Sequence, residues 1–132
     1  AMAIMDEYAR RTGEKVTDIM RVKLNNQTRS NNPNYDTNTH NEIHIDHVEY
    51  HKTIIYYIND SDGDTFLFDQ KYDPNRTHYD CKTVGRVTPK QNRLVCFDGL
   101  RYHAPSNPVY YPRRYIMNIN FVIRCSRYNS VK

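Results

Sequence analysis

The helical hydrophobic period runs out within the first fifteen residues, and from there the chain is a succession of short β-branched or aromatic runs closed off by Gly, Pro, Asn or Asp. Such punctuation leaves no room for further long helices. Met2, Met5, Tyr8 and Ala9 recur at helical spacing and predict one helix over residues 1–15, ending near Gly13. Residues 18–25 alternate and predict a strand with Met20, Val22 and Leu24 on one face; strands are also predicted over 53–59, 65–68, 84–88, 93–97 and 115–123. The turn signals between them are strong. They include Asn59-Asp60-Ser61-Asp62-Gly63-Asp64, Pro89-Lys90-Gln91-Asn92 and Phe97-Asp98-Gly99. Many short strands at turn spacing predict a mainly β barrel or sandwich, with residues 27–41 as a polar, mobile loop.

At 132 residues the chain is expected to be a single domain, 1–132, with a β core over 18–124. A mean hydropathy of -0.90 is polar, but 12 Tyr and 4 Phe supply enough bulk for a modest core. The absence of any eighteen-residue apolar run or secretory leader predicts a soluble protein with no membrane partner. Cys81, Cys96 and Cys125 form no CxxC pair, and they read as small buried hydrophobes in a reducing, cytoplasmic setting. The net charge of +4 permits an anionic partner. Nucleic acid is not favoured, because Tyr110, Tyr111, Arg113, Arg114 and Tyr115 make the only cluster of interleaved aromatic and basic residues.

The chemistry concentrates in His44-Ile45-Asp46. Residues i and i+2 of an extended segment share a face, so this imidazole and this carboxylate can converge on one divalent ion. His103 is the best third ligand. Two imidazoles and one carboxylate make the facial triad of non-haem iron(II) oxygenases, which leaves positions open on the metal. His47 and His51 read as loop residues, His40 and Glu42 as a surface pair too far from the strand spacing, and His78 as exposed.

The ordered set His44-Ile45-Asp46, residues 53–60 (Thr-Ile-Ile-Tyr-Tyr-Ile-Asn-Asp), Gly63-Asp64-Thr65, Pro89 with Val95-Cys96-Phe97, His103 and Arg114-Tyr115-Ile116 resembles the 2-oxoglutarate- and Fe(II)-dependent oxygenases of the prolyl 4-hydroxylase-like group. The likeness covers roughly residues 19–123, and the amino-terminal part is shorter than is usual in that family. It implies a double-stranded β-helix, a jelly roll of about eight strands. It also implies a metal triad of His44, Asp46 and His103 and a basic residue for the far carboxylate of 2-oxoglutarate at Arg113 or Arg114. Strand parity favours Arg114, because Ile116, Asn118 and Asn120 then share its polar face while Tyr115, Met117, Ile119 and Phe121 form an apolar one. A guanidinium suits that task through two parallel hydrogen bonds. Tyr57 falls where relatives place a hydroxyl donor to the same carboxylate, with an ordinary core tyrosine as the alternative, and Thr65 and Asn118 are candidates to complete the pocket.

The implied reaction consumes 2-oxoglutarate and O2, releases succinate and carbon dioxide, and hydroxylates an unactivated C–H, with a prolyl residue as first guess. The substrate is expected to be a peptide or a small molecule, met by Asn26, Arg29, Asn32, Tyr35 and Tyr102 and covered by the loop 27–41 as a lid. Two rival readings stand beside it: a catalytically inactive or truncated ligand-binding relative, and a cupin-type protein holding zinc or nickel structurally.

Overall fold

The computed structural model describes residues 2–124. Helix α1 (Met2–Thr12) leads into seven strands: β1 (Lys15–Thr28), β2 (Lys52–Tyr57), β3 (Thr65–Lys71), β4 (Thr83–Val87), β5 (Leu94–Asp98), β6 (Arg101–Ala104) and β7 (Arg113–Arg124). The helix is shorter than the period suggested because Gly13 takes φ +73° and donates its N–H to the Ala9 carbonyl at 2.9 Å, a left-handed cap that turns the chain straight into β1. The four-residue β6 was not expected from the sequence, and it carries His103.

The strands form two antiparallel sheets, a four-stranded one in the order β1-β7-β2-β5 and a three-stranded one in the order β4-β3-β6. Helix α1 covers one face of the larger sheet, burying Met5 and Tyr8 against Ile54, Ile119 and Phe121, with the Tyr8 ring edge-on to Phe121 at 5.1 Å. The opposite face meets the smaller sheet through Ile55, Tyr57, Phe97 and Ile116, joined by Leu67, Val87 and Val95. β2 and β7 are sandwiched, so their consecutive residues are buried on both faces.

Strand β1 departs from the expected pattern. Its register against β7 slips between Val16 and Asp18 and again between Ile19 and Arg21, so Thr17 and Met20 are extra residues of two β-bulges. Ile19 pairs with Phe121 on the helix-covered face, yet Arg21 pairs with Asn120 on the face toward the smaller sheet. Beyond Met20 the side chains are therefore inverted. Val22 and Leu24 are 43% and 67% exposed, and Arg21, Lys23, Asn25 and Gln27 occupy the inner row.

Of residues 27–41, expected as a mobile loop, the first two belong to β1, and the segment 29–43 is tied down over the far face of the smaller sheet. The His40 ring lies 5.0 Å from Phe66 and 5.2 Å from Phe68, and Ile43 packs on the same cluster. Asn41 donates to the Pro105 carbonyl at 2.8 Å and to Asn107 Oδ1 at 2.7 Å, while Arg86 reaches Asn38 Oδ1 at 2.8 Å and the Thr37 carbonyl. A polar composition does not prevent packing when each amide finds a partner.

His51, read as a loop residue, lies just before β2 outside any strand, yet is fully buried. Its Nδ1 lies 2.7 Å from the Glu49 carbonyl, and a Cβ placed on Gly99 would collide with the far edge of its ring. Gly99 is thus held to glycine by close approach. Gly99→Ala is expected to destabilise the fold by about 2 kcal/mol through overpacking, read as a lower urea midpoint at unchanged slope.

Candidate metal centre

His44, Asp46 and His103 meet through backbone pairing. His44 lies in an isolated bridge to β6, donating its N–H to the His103 carbonyl at 2.9 Å and accepting from the His103 N–H at 3.1 Å. Directly opposed residues share a face, so the two rings come to 4.7 Å between centroids. Asp46, two residues on, aims its carboxylate at the same point: Oδ1 is 3.3 Å from His44 Nε2 and 3.8 Å from His103 Nε2. One nitrogen or oxygen from each of the three lies within 4.8 Å of the others. The group can hold a metal ion.

The surrounding hydrogen bonds prepare those atoms. His44 Nδ1 faces the Glu42 carbonyl at 3.0 Å and His103 Nδ1 the Arg101 carbonyl at 3.1 Å. A carbonyl only accepts, so each Nδ1 carries a proton and each Nε2 is the ring atom left to meet an ion. Asp46 Oδ2 accepts from Asn118 Nδ2 at 3.1 Å and Asn120 Nδ2 at 3.2 Å, which leaves Oδ1 turned toward the imidazoles. Burial opposes ionisation of Asp46, but the His44 hydrogen bond, the charge of His103 and the two amides outweigh it and hold the carboxyl well below the usual range. The bond to Asp46 raises His44, whereas burial lowers His103.

Arg114 is 1% exposed. Its Nε donates to the Gly63 carbonyl at 2.6 Å, Nη1 to Gln27 Oε1 at 2.6 Å and Nη2 to Thr65 Oγ1 at 2.9 Å. Three of five guanidinium N–H groups are thereby engaged, all with neutral acceptors. Among the described residues Arg114 forms no ion pair, and nearby Asp64 is taken by Arg86 at 3.1 Å. A buried cation without an anion is costly unless a ligand supplies one. Arg113, by contrast, is exposed.

A single cavity of about 350 Å³ joins the two features, lined among others by His44, Asp46, His103, Thr65, Arg114 and Asn118. Arg114, Ile116, Asn118 and Asn120 share the inner face of β7, so the guanidinium and the amides that hold Asp46 sit at different levels of one wall. Tyr57 is fully buried and donates to Thr65 Oγ1 at 2.7 Å. Asn118, expected beside the cosubstrate, gives its amide to Asp46.

Of the residues expected to touch substrate, Asn26 lines the cavity; Arg29, Asn32, Tyr35 and Tyr102 do not. Arg29 is bound to the Tyr110 and Tyr111 carbonyls at 2.6 and 3.1 Å. Tyr35 bridges Asn41 and the Asn107 amide, and Tyr102 lies 4.6 Å from the Tyr79 ring on the outer face of β6. Gln27 and Asn120 were not assigned roles from the sequence. Asn120 shares the parity of Arg114 and was within reach of that argument; Gln27 faces inward only because of the bulge at Met20.

Compared with known proteins, the chain matches no family model and no curated protein. Cys81 and Cys96 are free thiols of intermediate burial, and Cys125 lies outside the described residues. None of the described helices is long and apolar enough to cross a membrane.

Proposed function

We propose that the chain is an oxygenase that uses iron(II), 2-oxoglutarate and O2 to hydroxylate an unactivated C–H bond. The observation that carries this reading is the shared cavity: a His-Asp-His group with both Nε2 atoms turned toward the Asp46 carboxylate, and a buried guanidinium lacking an anionic partner. The two features answer opposite ends of a 2-oxo dicarboxylate. The double-stranded β-helix that the reading requires is supported by the chain's repeated passage between the two sheets, with the His44 bridge beside β6 standing in the place of an eighth strand.

Bound at His44, Asp46 and His103, iron(II) would supply the oxidative decarboxylation of 2-oxoglutarate to succinate and carbon dioxide, with the second oxygen atom going to the C–H. The protein's own residues orient and exclude. Asn118 and Asn120 keep Asp46 Oδ1 presented, and the Glu42 and Arg101 carbonyls fix the imidazole tautomers. Thr65 Oγ1 accepts from both Tyr57 and Arg114, so its own proton is free for the far carboxylate, beside the two remaining guanidinium N–H groups. Ile55 and Ile116 line the space between and limit water. Target identity, including a prolyl residue, belongs to the same proposal.

Anaerobic loading with iron(II), then titration with 2-oxoglutarate, is expected to raise the visible charge-transfer band of a chelated 2-oxo acid, lost in His103→Ala. A folded, iron-loaded protein without that band would instead favour the metal-binding module without turnover.

A further inference from the structure

We propose that the inner row of β1 is the substrate-anchoring strip of the cavity, and that the substrate presents an anionic group, phosphate or carboxylate, to Arg21 and Lys23. This rests on reading His44, Asp46 and His103 as the reacting centre.

The first support is register. Without the extra residue at Met20, continued alternation from Ile19 would have turned Met20, Val22 and Leu24 inward and Arg21 and Lys23 outward. The bulge reverses this, leaving Val22 and Leu24 to solvent and directing two cations and the amides of Asn25 and Gln27 into the cavity. An inversion that exposes apolar surface on one face and sets charge on the other runs against burial, and bulges that re-aim side chains are concentrated at functional sites.

The second support is charge. The cavity lining carries Arg21, Lys23 and Arg114 against the single acid Asp46. Arg114 is accounted for by the cosubstrate. Among the described residues Lys23 has no hydrogen bond or ion pair through its side chain, and the one acid near Arg21 is Asp46, 4.0 Å from its Nη2 and already committed to two imidazoles and two amides. Lys23 thus lines the cavity without a partner, and Arg21 has only a long contact to an acid that the triad already engages. A fork-shaped guanidinium and an ammonium two residues apart on one strand face suit an oxyanion placed within a few ångströms of the metal-binding carboxylate.

The test uses the 15N-labelled, metal-free protein titrated with inorganic phosphate and, separately, with acetate at fixed ionic strength, reading amide shifts residue by residue. Saturable shifts centred on residues 21–25, weakened about tenfold in the Arg21→Gln/Lys23→Gln double variant and partly restored by Arg21→Lys, are expected. Tighter phosphate binding would point to a phosphorylated substrate, and tighter acetate binding to a carboxylate one. Absence of saturable shifts, shifts that persist in the double variant, or shifts confined to Thr65 and Arg114 would each overturn the strip. Both substituted side chains are exposed, so the variants fold. Loss of the 2-oxoglutarate band with intact shifts at 21–25 would overturn the oxygenase reading instead.

Discussion

Asp46→Asn is expected to abolish metal retention at a modest cost in stability. The variant keeps the shape of the side chain but has one oxygen where the carboxylate had two. Asn118 and Asn120 both donate to the Oδ2 position, so the amide oxygen must settle there; the reverse orientation would set three NH2 groups against one another. The new NH2 then takes the Oδ1 position, 3.3 and 3.8 Å from the two imidazole Nε2 atoms, and donates to the lone pairs an ion would need. Metal affinity should fall by more than about a hundredfold, beyond what loss of a supporting contact costs. Stability should fall by about 1–3 kcal/mol, because the charge-assisted bonds that hold Asp46 ionised become neutral ones. Calorimetric titration with iron(II) or manganese(II), alongside urea unfolding, reads both; near-native affinity would remove Asp46 from the ligand set.

The second large effect is expected of Arg114→Lys, which preserves the charge and loses the fork. An ammonium cannot reach the Gly63 carbonyl, Gln27 Oε1 and Thr65 Oγ1 together, and each acceptor left dry costs about 1–3 kcal/mol. The variant should lose about 2–4 kcal/mol of stability and bind 2-oxoglutarate about a hundredfold more weakly, with affinity for the metal alone unchanged. Arg113→Lys, on the exposed side of the same strand, should alter neither. An unchanged 2-oxoglutarate titration in Arg114→Lys would detach the guanidinium from the cosubstrate and leave it a structural tie between β1, β7 and the turn at Gly63.

What could be read from the sequence came from short-range parity. His44 and Asp46 share a face because they are two apart, and the polar series Arg114, Asn118, Asn120 against the apolar Ile119 and Phe121 assigns the two faces of β7. Long-range register carried the rest. The bulges at Thr17 and Met20 are set by pairing with β7 and have no local signature, so the alternation over 18–25 could not show that Met20 falls at a bulge or which face Val22 and Leu24 take. β6 is four residues long and too brief for a periodic signal, although it positions His103. Residues 29–43 are a polar segment that packs because tertiary partners meet its donors and acceptors, which composition does not disclose.

β1 also forms one rim of the larger sheet, and along its fourteen residues the outer line of backbone donors and acceptors faces no other described strand. A straight ribbon of that length would invite a neighbouring molecule to pair with it and seed aggregation. Two bulges break its repeat, and Lys15, Asp18, Arg21 and Lys23 would bring charge into any stacked copy. The irregularity that turns Arg21 and Lys23 toward the cavity therefore also makes the rim a poor template for strand addition by a second copy.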